Sequence, residues 1–333
     1  MNKFVLTIAA AGLGAALLPS TARAQASDPQ AQINALEGVA GKQPGSRRSQ
    51  AKGVCASGHF VGNAAGRDLS SASVFSGEKV PVVARFSVAG GNPKASDKGR
   101  TSRGLGFQMT AANGEQWRNA MLSTPMFFIA KMEQFVPFMQ ARTPDPATGK
   151  PDPDKLKAFN EAHPETTRQG AWLAKAPVPE SYATAGYFGL NAFEFVNAKG
   201  DSRFVRWQFV PEAGSLGLSD EQLKSMPDDF LVDELRKRLA TGPVAFEFKA
   251  QLAERGDSLI DPTQVWPDSR SLVTAGRLVI DKVEAGPGDA CEKIVFDPLV
   301  LPKGIKASAD PVLLGRPPAY AVSLGRRLGE APK

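Results

Sequence analysis

The sequence has few residues of the types that usually bind metals or form disulfides. Its 333 residues include two histidines, two cysteines and three tyrosines. It contains no Gly-x-Ser-x-Gly nucleophile elbow, no phosphate-binding loop and no His/Cys cluster with the spacing of a zinc site. Serine-hydrolase, nucleotide-binding and zinc-dependent chemistries are therefore not supported, and any metal or cofactor has few candidate ligands.

The chain also lacks a hydrophobic run long enough to span a membrane. The apolar run at the N-terminus, from Phe4 to Leu18, follows Lys3 and precedes the small-residue cleavage pattern Ala22-Arg23-Ala24. It has roughly 15 residues, fewer than the ~20 that a membrane-spanning helix needs, and an uncleaved anchor would usually lack the cleavage pattern. Residues 1–24 are predicted to be a secretory signal peptide, and residues 25–333 a periplasmic protein with no membrane span.

The charge of the chain is only mildly basic. The formal net charge is +6, and removal of the predicted signal peptide, which contains Lys3 and Arg23 and no acidic residue, lowers it by two. No run of Lys and Arg is interleaved with aromatic residues, which argues against nucleic acid as a partner. With 42% apolar residues, the chain can bury the core of one large domain.

Several segments alternate apolar and polar residues with the period of a β-strand. In Lys79–Val88, valine, alanine and phenylalanine share one face, whereas Arg85 and Ser87 point together to the other face. A turn-like Ala-Lys-Gly-Asp-Ser sequence predicts a hairpin between the strands at 188–197 and 203–210. Further strands are predicted at 54–61, 105–110, 127–130, 243–251 and 271–283.

Helical patterns interrupt these strands without regular β-α alternation. The leucines of 228–240 form an apolar stripe that ends at Gly242, so this helix is predicted to pack on the core. Residues 25–46 are polar and are predicted to form an extended arm. The mixture favours the α+β class, a barrel with helical additions, over a doubly wound parallel sheet. Other helices are predicted at 133–142, 152–163, 165–175 and from about 310 onward.

The most informative segment is Leu313-Leu-Gly-Arg316-Pro-Pro-Ala-Tyr320-Ala-Val-Ser-Leu-Gly-Arg-Arg327. In a helix, Arg316 and Tyr320 are i, i+4 neighbours on one face. A guanidinium beside a phenol favours the phenolate, which is the form that binds ferric iron as a fifth ligand. On its own, such a pair is more typical of a surface contact. Pro317 and Pro318 predict either a kink or the helix start at this point.

This segment resembles the proximal helix of catalases, and other motifs follow in the catalase order over residues 44–329. The length and leader resemble the catalase-related peroxidases, which are small exported relatives. The resemblance implies an antiparallel β-barrel with helical insertions and haem b held inside. It also implies peroxide and a small-molecule electron donor as partners. The motifs that carry the resemblance are Ser49-Gln50-Ala-Lys-Gly53, Val83-Ala-Arg85-Phe-Ser87, Ser123-Thr-Pro-Met-Phe-Phe-Ile129, Asp261-Pro-Thr-Gln-Val-Trp-Pro267 and Phe296-Asp-Pro-Leu-Val-Leu-Pro-Lys-Gly304.

Carried over by position, the resemblance implies roles for particular residues. Tyr320 is the implied metal ligand, supported by Arg316. The family places cations around the haem propionates, and the arginines at those positions here are Arg47, Arg85 and Arg327. A guanidinium is well suited to bind a carboxylate. The implied cofactor-binding residues are Arg47, Arg85, Ser87, Phe128, Arg316, Tyr320 and Arg327.

The distal side of the cofactor departs from the family pattern at two positions. Where the family has His-Ala-Lys-Gly, this chain has Gln50, which can hydrogen-bond but cannot take up a proton near neutral pH. The family's distal asparagine has no counterpart, because Asn119 comes too early, and Ser123 is the candidate substitute. Gln50 and Ser123 are therefore the predicted catalytic residues of a weakened peroxidase. The alternatives are a haem-binding protein that has lost catalysis and an enzyme that rearranges lipid hydroperoxides.

The two histidines are predicted to lie outside the site. His59 is nine residues from Gln50, so along one strand it faces the opposite side. His163 precedes a proline between two helices and is predicted to be a surface residue. The separation of Cys55 from Cys291 leaves open whether they form a disulfide. Both a monomer and a small homo-oligomer are compatible with the sequence.

Overall fold

A computed structural model describes residues 28–284 and 290–330 of the chain. The predicted signal peptide, residues 1–24, lies outside the described residues. Eleven strands are described, most of them near the positions that the period-two patterns indicate. They are β1 (Gly53–Gly62), β2 (Lys79–Val88), β3 (Arg103–Thr110), β4 (Gln116–Leu122), β5 (Val178–Pro179), β6 (Tyr187–Val196), β7 (Ser202–Pro211), β8 (Gly217–Leu218), β9 (Val244–Leu252), β10 (Leu272–Val283) and β11 (Ile305–Ala307).

Eight of these strands close into an antiparallel barrel. The order around the barrel is β6-β4-β3-β2-β1-β10-β9-β7, and β7 pairs back with β6 to complete the circle. The pairing of β6 with β7 confirms the predicted hairpin. β11 adds to β6 outside the circle. Closure removes the exposed strand edges that an open sheet would have.

Aromatic side chains fill the interior of the barrel. Trp117 and Trp207 are at most 1% exposed, and their ring centroids lie 5.0 Å apart in an edge-to-face arrangement. The inward residues of β2, such as Phe86, belong to the same core cluster. A barrel of eight strands has an interior just wide enough for its own side chains. The wall therefore has one face that forms the core and one face that is available for other contacts.

The helices surround this barrel. Residues Pro29–Ala40 form helix α1, which corrects the prediction of an extended arm at 25–46: the Asp28 carboxylate caps the helix by accepting from the amides of Gln30 and Ala31. The helices are α1 (Pro29–Ala40), α2 (Ala64–Leu69), α3 (Phe135–Gln140), α4 (Pro153–Ala162), α5 (Arg168–Lys175), α6 (Asp220–Ser225), α7 (Phe230–Thr241), α8 (Pro311–Leu314) and α9 (Arg316–Gly329).

One strand prediction is wrong, one strand of the barrel is missed, and the short strands β5, β8 and β11 are not predicted either. Residues 127–130 form no strand; they follow a bent loop in which the amide of Phe127 donates to the carbonyl of Pro262. Their apolar side chains pack against Met132 and Phe138 outside the barrel. A short apolar run carries no periodicity, so sequence alone does not separate these two outcomes. β4 is the strand of the barrel that the sequence patterns do not predict.

Cys55 and Cys291 form a disulfide between β1 and the 3₁₀ turn Ala290–Lys293. This settles the pairing that the sequence leaves open. Both cysteines are buried and pack with Phe296. The bond therefore fixes the segment that contains residues 290–296 to the outer face of the barrel wall.

Replacing both cysteines by serine should lower the free energy of unfolding by roughly 2–5 kcal/mol, because the disulfide restricts the unfolded chain. The measurement is denaturant unfolding of the oxidised protein and of the double variant. The reduced wild type is the matched control and should unfold with the double variant. Coincident transitions for all three samples would contradict the prediction.

Within residues 28–284 and 290–330, no helix has the length and apolar composition needed to cross a bilayer.

Candidate functional site

A cavity of about 450 Å³ lies between the outer face of the barrel wall and the helices α1, α3 and α9. Ser87 and Gly104 contribute from β2 and β3, and Tyr320 contributes from α9. Helix α1 is held to α9 by an ion pair in which Arg326 Nη1 lies 2.8 Å from Glu37 Oε2. The cavity is thus inside the domain but outside the barrel interior, which refines the expectation of a cofactor held inside.

The phenol of Tyr320 is paired with a guanidinium at the edge of this cavity. Arg316 Nη2 donates to Tyr320 Oη at 2.6 Å, and Arg316 Nε donates at 3.1 Å. α9 begins at Arg316, so Pro317 and Pro318 occupy its first turn, where the missing amide donors cost nothing. The i, i+4 contact predicted from sequence is confirmed, and the diproline marks the helix start.

Two further residues fix the guanidinium of Arg316. Its Nη1 donates to Asn191 Oδ1 at 3.2 Å, and Asn191 Nδ2 donates to Asp310 Oδ2 at 2.6 Å. Asp310 is also the N-cap of α8, accepting from the amide of Val312 at 2.8 Å. Burial raises the pKa of Asp310, while the bond from Asn191 opposes that shift. The sequence patterns did not indicate a role for Asn191 or Asp310. The Asp-Pro pair at the start of α8 is a signal that could have drawn attention to Asp310.

The other two tyrosines are poor ligand candidates. Tyr182 and Tyr187 are fully buried in the barrel interior, and Tyr182 stacks on Phe86. Burial raises the pKa of both phenols, chiefly because the charged form is desolvated. Among the three tyrosines, Tyr320 alone combines a position at the cavity with a guanidinium partner.

Three arginines border the cavity and share one carboxylate, that of Glu292. Arg85 Nε lies 2.8 Å from Glu292 Oε1, while Arg47 Nε and Arg327 Nη1 lie 3.4 and 3.5 Å from Oε2. Arg47 is further fixed by Nη2, which donates to the carbonyl of Cys291 at 2.8 Å. Burial and the nearby Arg85 lower the pKa of Arg47 to about 10. Guanidinium groups are cations in proteins, so this end of the cavity attracts anions.

Gln50 lies in the same cavity on a backbone with φ of 55°, and it is the one non-glycine residue at positive φ within the described ranges. Its Oε1 accepts from Ser87 Oγ at 2.9 Å, and its carbonyl accepts from Arg85 Nη1 at 2.7 Å. A Cβ at Gly104 would meet Ser87 Oγ at 2.5 Å and Gln50 Oε1 at 2.7 Å. Glycine there leaves room for the amide, whose Nε2 has no acceptor among the residues that the structure describes.

The predicted site residues separate into two groups. Arg47, Gln50, Arg85, Ser87, Phe128, Arg316, Tyr320 and Arg327 all line the cavity. Ser123 does not line it, and its Oγ accepts from the amide of Arg103 at 2.9 Å. Asn119 pairs with Phe107 between β4 and β3 and also lies outside the lining.

Both histidines lie away from the cavity lining. His59 Nδ1 lies 3.0 Å from Asp281 Oδ2 across β1 and β10. His163 ends α4, and 38% of its side chain is exposed. These positions agree with the predictions of a rim residue and a surface residue. Neither imidazole can exchange a proton with a molecule next to Gln50.

The cavity suits a flat apolar group that carries carboxylates. Phenylalanines from the loop at 127–128 and from α3 line it. Arg47 Nε and Arg327 Nη1 are buried and have no hydrogen-bond partner among the described residues, although buried donors normally have one. A carboxylate of a bound cofactor would supply that partner. The phenol of Tyr320 would supply a hard anionic ligand to ferric iron.

Barrel, cavity and arginine-paired tyrosine together define a catalase-type barrel protein. The profile of the family described as Catalase matches residues 32–332, and the chain belongs to this family. The family implies haem as the cofactor, and the donor set described above fits it.

Two relatives are similar over nearly their whole length. The chain is 45% identical over 299 residues to a catalase-related peroxidase of Synechococcus elongatus, covering 90% of this chain and 88% of that protein. It is 35% identical over 302 residues to a catalase-related peroxidase of Mycolicibacterium paratuberculosis, covering 90% and 95%.

Solved structures show the same fold. A fungal catalase superposes with a TM-score of 0.77 at 23% identity, covering 99% of this chain and 66% of that one. Catalase A from Saccharomyces cerevisiae gives a TM-score of 0.76 at 23% identity, covering 98% and 68%. The chain thus spans about two thirds of the length of these catalases.

Proposed function

We propose that this chain is a peroxidase that holds haem b in the cavity and acts on hydrogen peroxide or organic peroxides with a small-molecule electron donor. The observation that carries the proposal is the 2.6 Å contact between Arg316 and the phenol of Tyr320 in the cavity that also contains Gln50. The two relatives that match most of this chain are both named catalase-related peroxidase. These names support a peroxidase and do not favour the alternatives of lost catalysis or hydroperoxide rearrangement.

The residues of the proximal side would hold the cofactor and its charge. Tyr320 would ligate the iron through its phenol oxygen, and Arg316, which Asn191 orients, would donate hydrogen bonds to that oxygen. Arg47 and Arg327 would bind the carboxylates. When bound, haem supplies the redox chemistry that cleaves the O–O bond of a peroxide.

On the distal side, Gln50 would orient a peroxide without moving its proton. Ser87 donates to Oε1 and so fixes the amide, which leaves Nε2 to donate to a peroxide oxygen. An amide is not a base near neutral pH, so the proton must pass between the two peroxide oxygens through solvent. Slow turnover is the expected consequence.

Haem titrated into the purified chain should give a Soret band at one haem per chain, with the spectrum of a ferric tyrosinate protein. The same sample should then oxidise a small-molecule donor in a peroxide-dependent reaction, at a rate above that of free haem. Absence of a Soret band would overturn the proposal. A Soret band without peroxide-dependent oxidation would instead support a haem-binding protein that has lost catalysis.

We also propose that the protein is exported to the periplasm after cleavage behind Ala24. The Ala22-Arg23-Ala24 pattern supports this, and so does the Cys55–Cys291 disulfide, because such bonds persist in oxidising compartments. Intact mass of the chain recovered from a periplasmic extract should correspond to residues 25–333.

A further inference from the structure

We propose that Glu292 is a charge-setting residue that weakens the hold of the arginine cluster on the carboxylates of the cofactor. The arginine cluster is Arg47, Arg85 and Arg327. This inference rests on the proposed binding of haem, and it concerns the affinity of that site. Glu292 itself does not line the cavity, so its carboxylate reaches the three guanidinium groups from behind.

The position of Glu292 is built into the fold. It directly follows Cys291, whose disulfide fixes it to β1, and the carbonyls of Cys291 and Ile294 accept from Arg47 Nη2 at 2.8 and 3.2 Å. Burial raises the pKa of Glu292, but the nearby Arg85 and Arg47 outweigh that effect and lower it overall. The side chain is therefore an anion at neutral pH, held at a fixed place by covalent and hydrogen-bonded contacts.

The three contacts of Glu292 are unequal. The contact with Arg85 is short, whereas those with Arg47 Nε and Arg327 Nη1 are 3.4 and 3.5 Å and leave both donors without a hydrogen bond. The other nitrogens of Arg85 also have acceptors, since Nη1 and Nη2 donate to the carbonyls of Gln50 and Ala51. Glu292 thus secures one arginine by a hydrogen bond and attracts the other two mainly through charge.

This geometry makes Glu292 a competitor for part of the positive charge that faces the cavity. Three guanidinium groups and one carboxylate have a net charge of two positive units. This charge balances the two negative charges of a cofactor with two carboxylates. Glutamine has the same shape as glutamate and can still accept from Arg85 Nε, so Glu292→Gln removes the charge and keeps the main contact. The cluster should then attract carboxylates more strongly.

The test is a titration of haem into haem-free protein, followed at the Soret band. Glu292→Gln should lower the dissociation constant for haem about three- to tenfold, the effect expected for removal of one partly screened charge. Haem dimethyl ester, which has no carboxylates, should bind the variant and the wild type equally. Glu212→Gln removes the partner of the exposed Arg277, far from the cavity, and is the matched control; it should bind haem like the wild type.

Unchanged or weaker binding of haem by Glu292→Gln would overturn the inference, as would an equal gain with the dimethyl ester. If that variant does not fold, Glu292→Asp withdraws the carboxylate by one methylene and should still tighten haem binding about twofold; no gain there would also overturn it. A wild type that binds haem, with variants that bind it equally well, would refute the inference alone. A wild type that binds no haem would refute the proposed function as well.

Discussion

Replacing Tyr320 by phenylalanine should lower peroxide turnover on the order of 10³-fold or more, because the change removes the oxygen that we propose as the iron ligand. The ring and its packing are kept, so the fold should be unaffected. The spectrum of the haem-loaded variant should lose its tyrosinate features. Arg316 would lose the oxygen that accepts from its Nε and Nη2 at 3.1 and 2.6 Å, which should also weaken haem binding.

Tyr182→Phe is the matched control for this prediction. The hydroxyl of Tyr182 is buried in the barrel interior and has no hydrogen-bond partner among the described residues. Its removal should change neither the spectrum nor the turnover. If Tyr320→Phe retained the tyrosinate spectrum and wild-type turnover, Tyr320 would not be the ligand.

Replacing Gln50 by histidine should raise kcat/KM for hydrogen peroxide by roughly 10²-fold, within the range that a positioned general base contributes. Histidine is among the residues that tolerate a backbone φ of 55°, so the change fits the local conformation. Ser87 would remain within reach to orient the imidazole. The rate should also acquire a dependence on pH near ~6.5, the usual pKa of histidine, because only the neutral ring accepts a proton.

The control for Gln50→His is Gln50→Met, which has a similar length and no amide. It should lower the residual turnover, since the donor Nε2 is lost, and it should show no titration near neutral pH. Steady-state rates between about pH 5 and 8 would distinguish the three proteins. Turnover of Gln50→His equal to that of the wild type would mean that proton transfer does not limit this enzyme.

Sequence patterns predicted the barrel wall well because its strands have one buried face. In β2, the alternation placed Arg85 and Ser87 on the same side, and both line the cavity. The patterns did not predict β4, because its inward positions include Asn119, which is 3% exposed and breaks the apolar alternation. The patterns did not predict α1, because a helix of this length depends on tertiary contacts, such as the ion pair between Arg326 and Glu37.

A local pattern alone predicts only one contact of the candidate site, whereas the other lining residues were predicted from the resemblance to catalases. Arg316 and Tyr320 are four residues apart, so a helix alone brings them together. Glu292 reaches Arg85 across 207 positions of sequence, and Asn191 reaches Arg316 across 125. Such contacts depend on barrel closure and on the disulfide, which no local pattern encodes. The contact of Ser123 is of the same kind, since its hydroxyl accepts from a backbone amide of β3.

The pleat of the barrel wall has an evolutionary consequence. Along β2, side chains alternate between the packed interior, as Phe86 does, and the cavity, as Ser87 does. Inward positions carry the stability of the domain, while outward positions carry its chemistry. A substitution at an outward position can therefore alter the chemistry of the cavity during evolution while the packing of the barrel interior is kept.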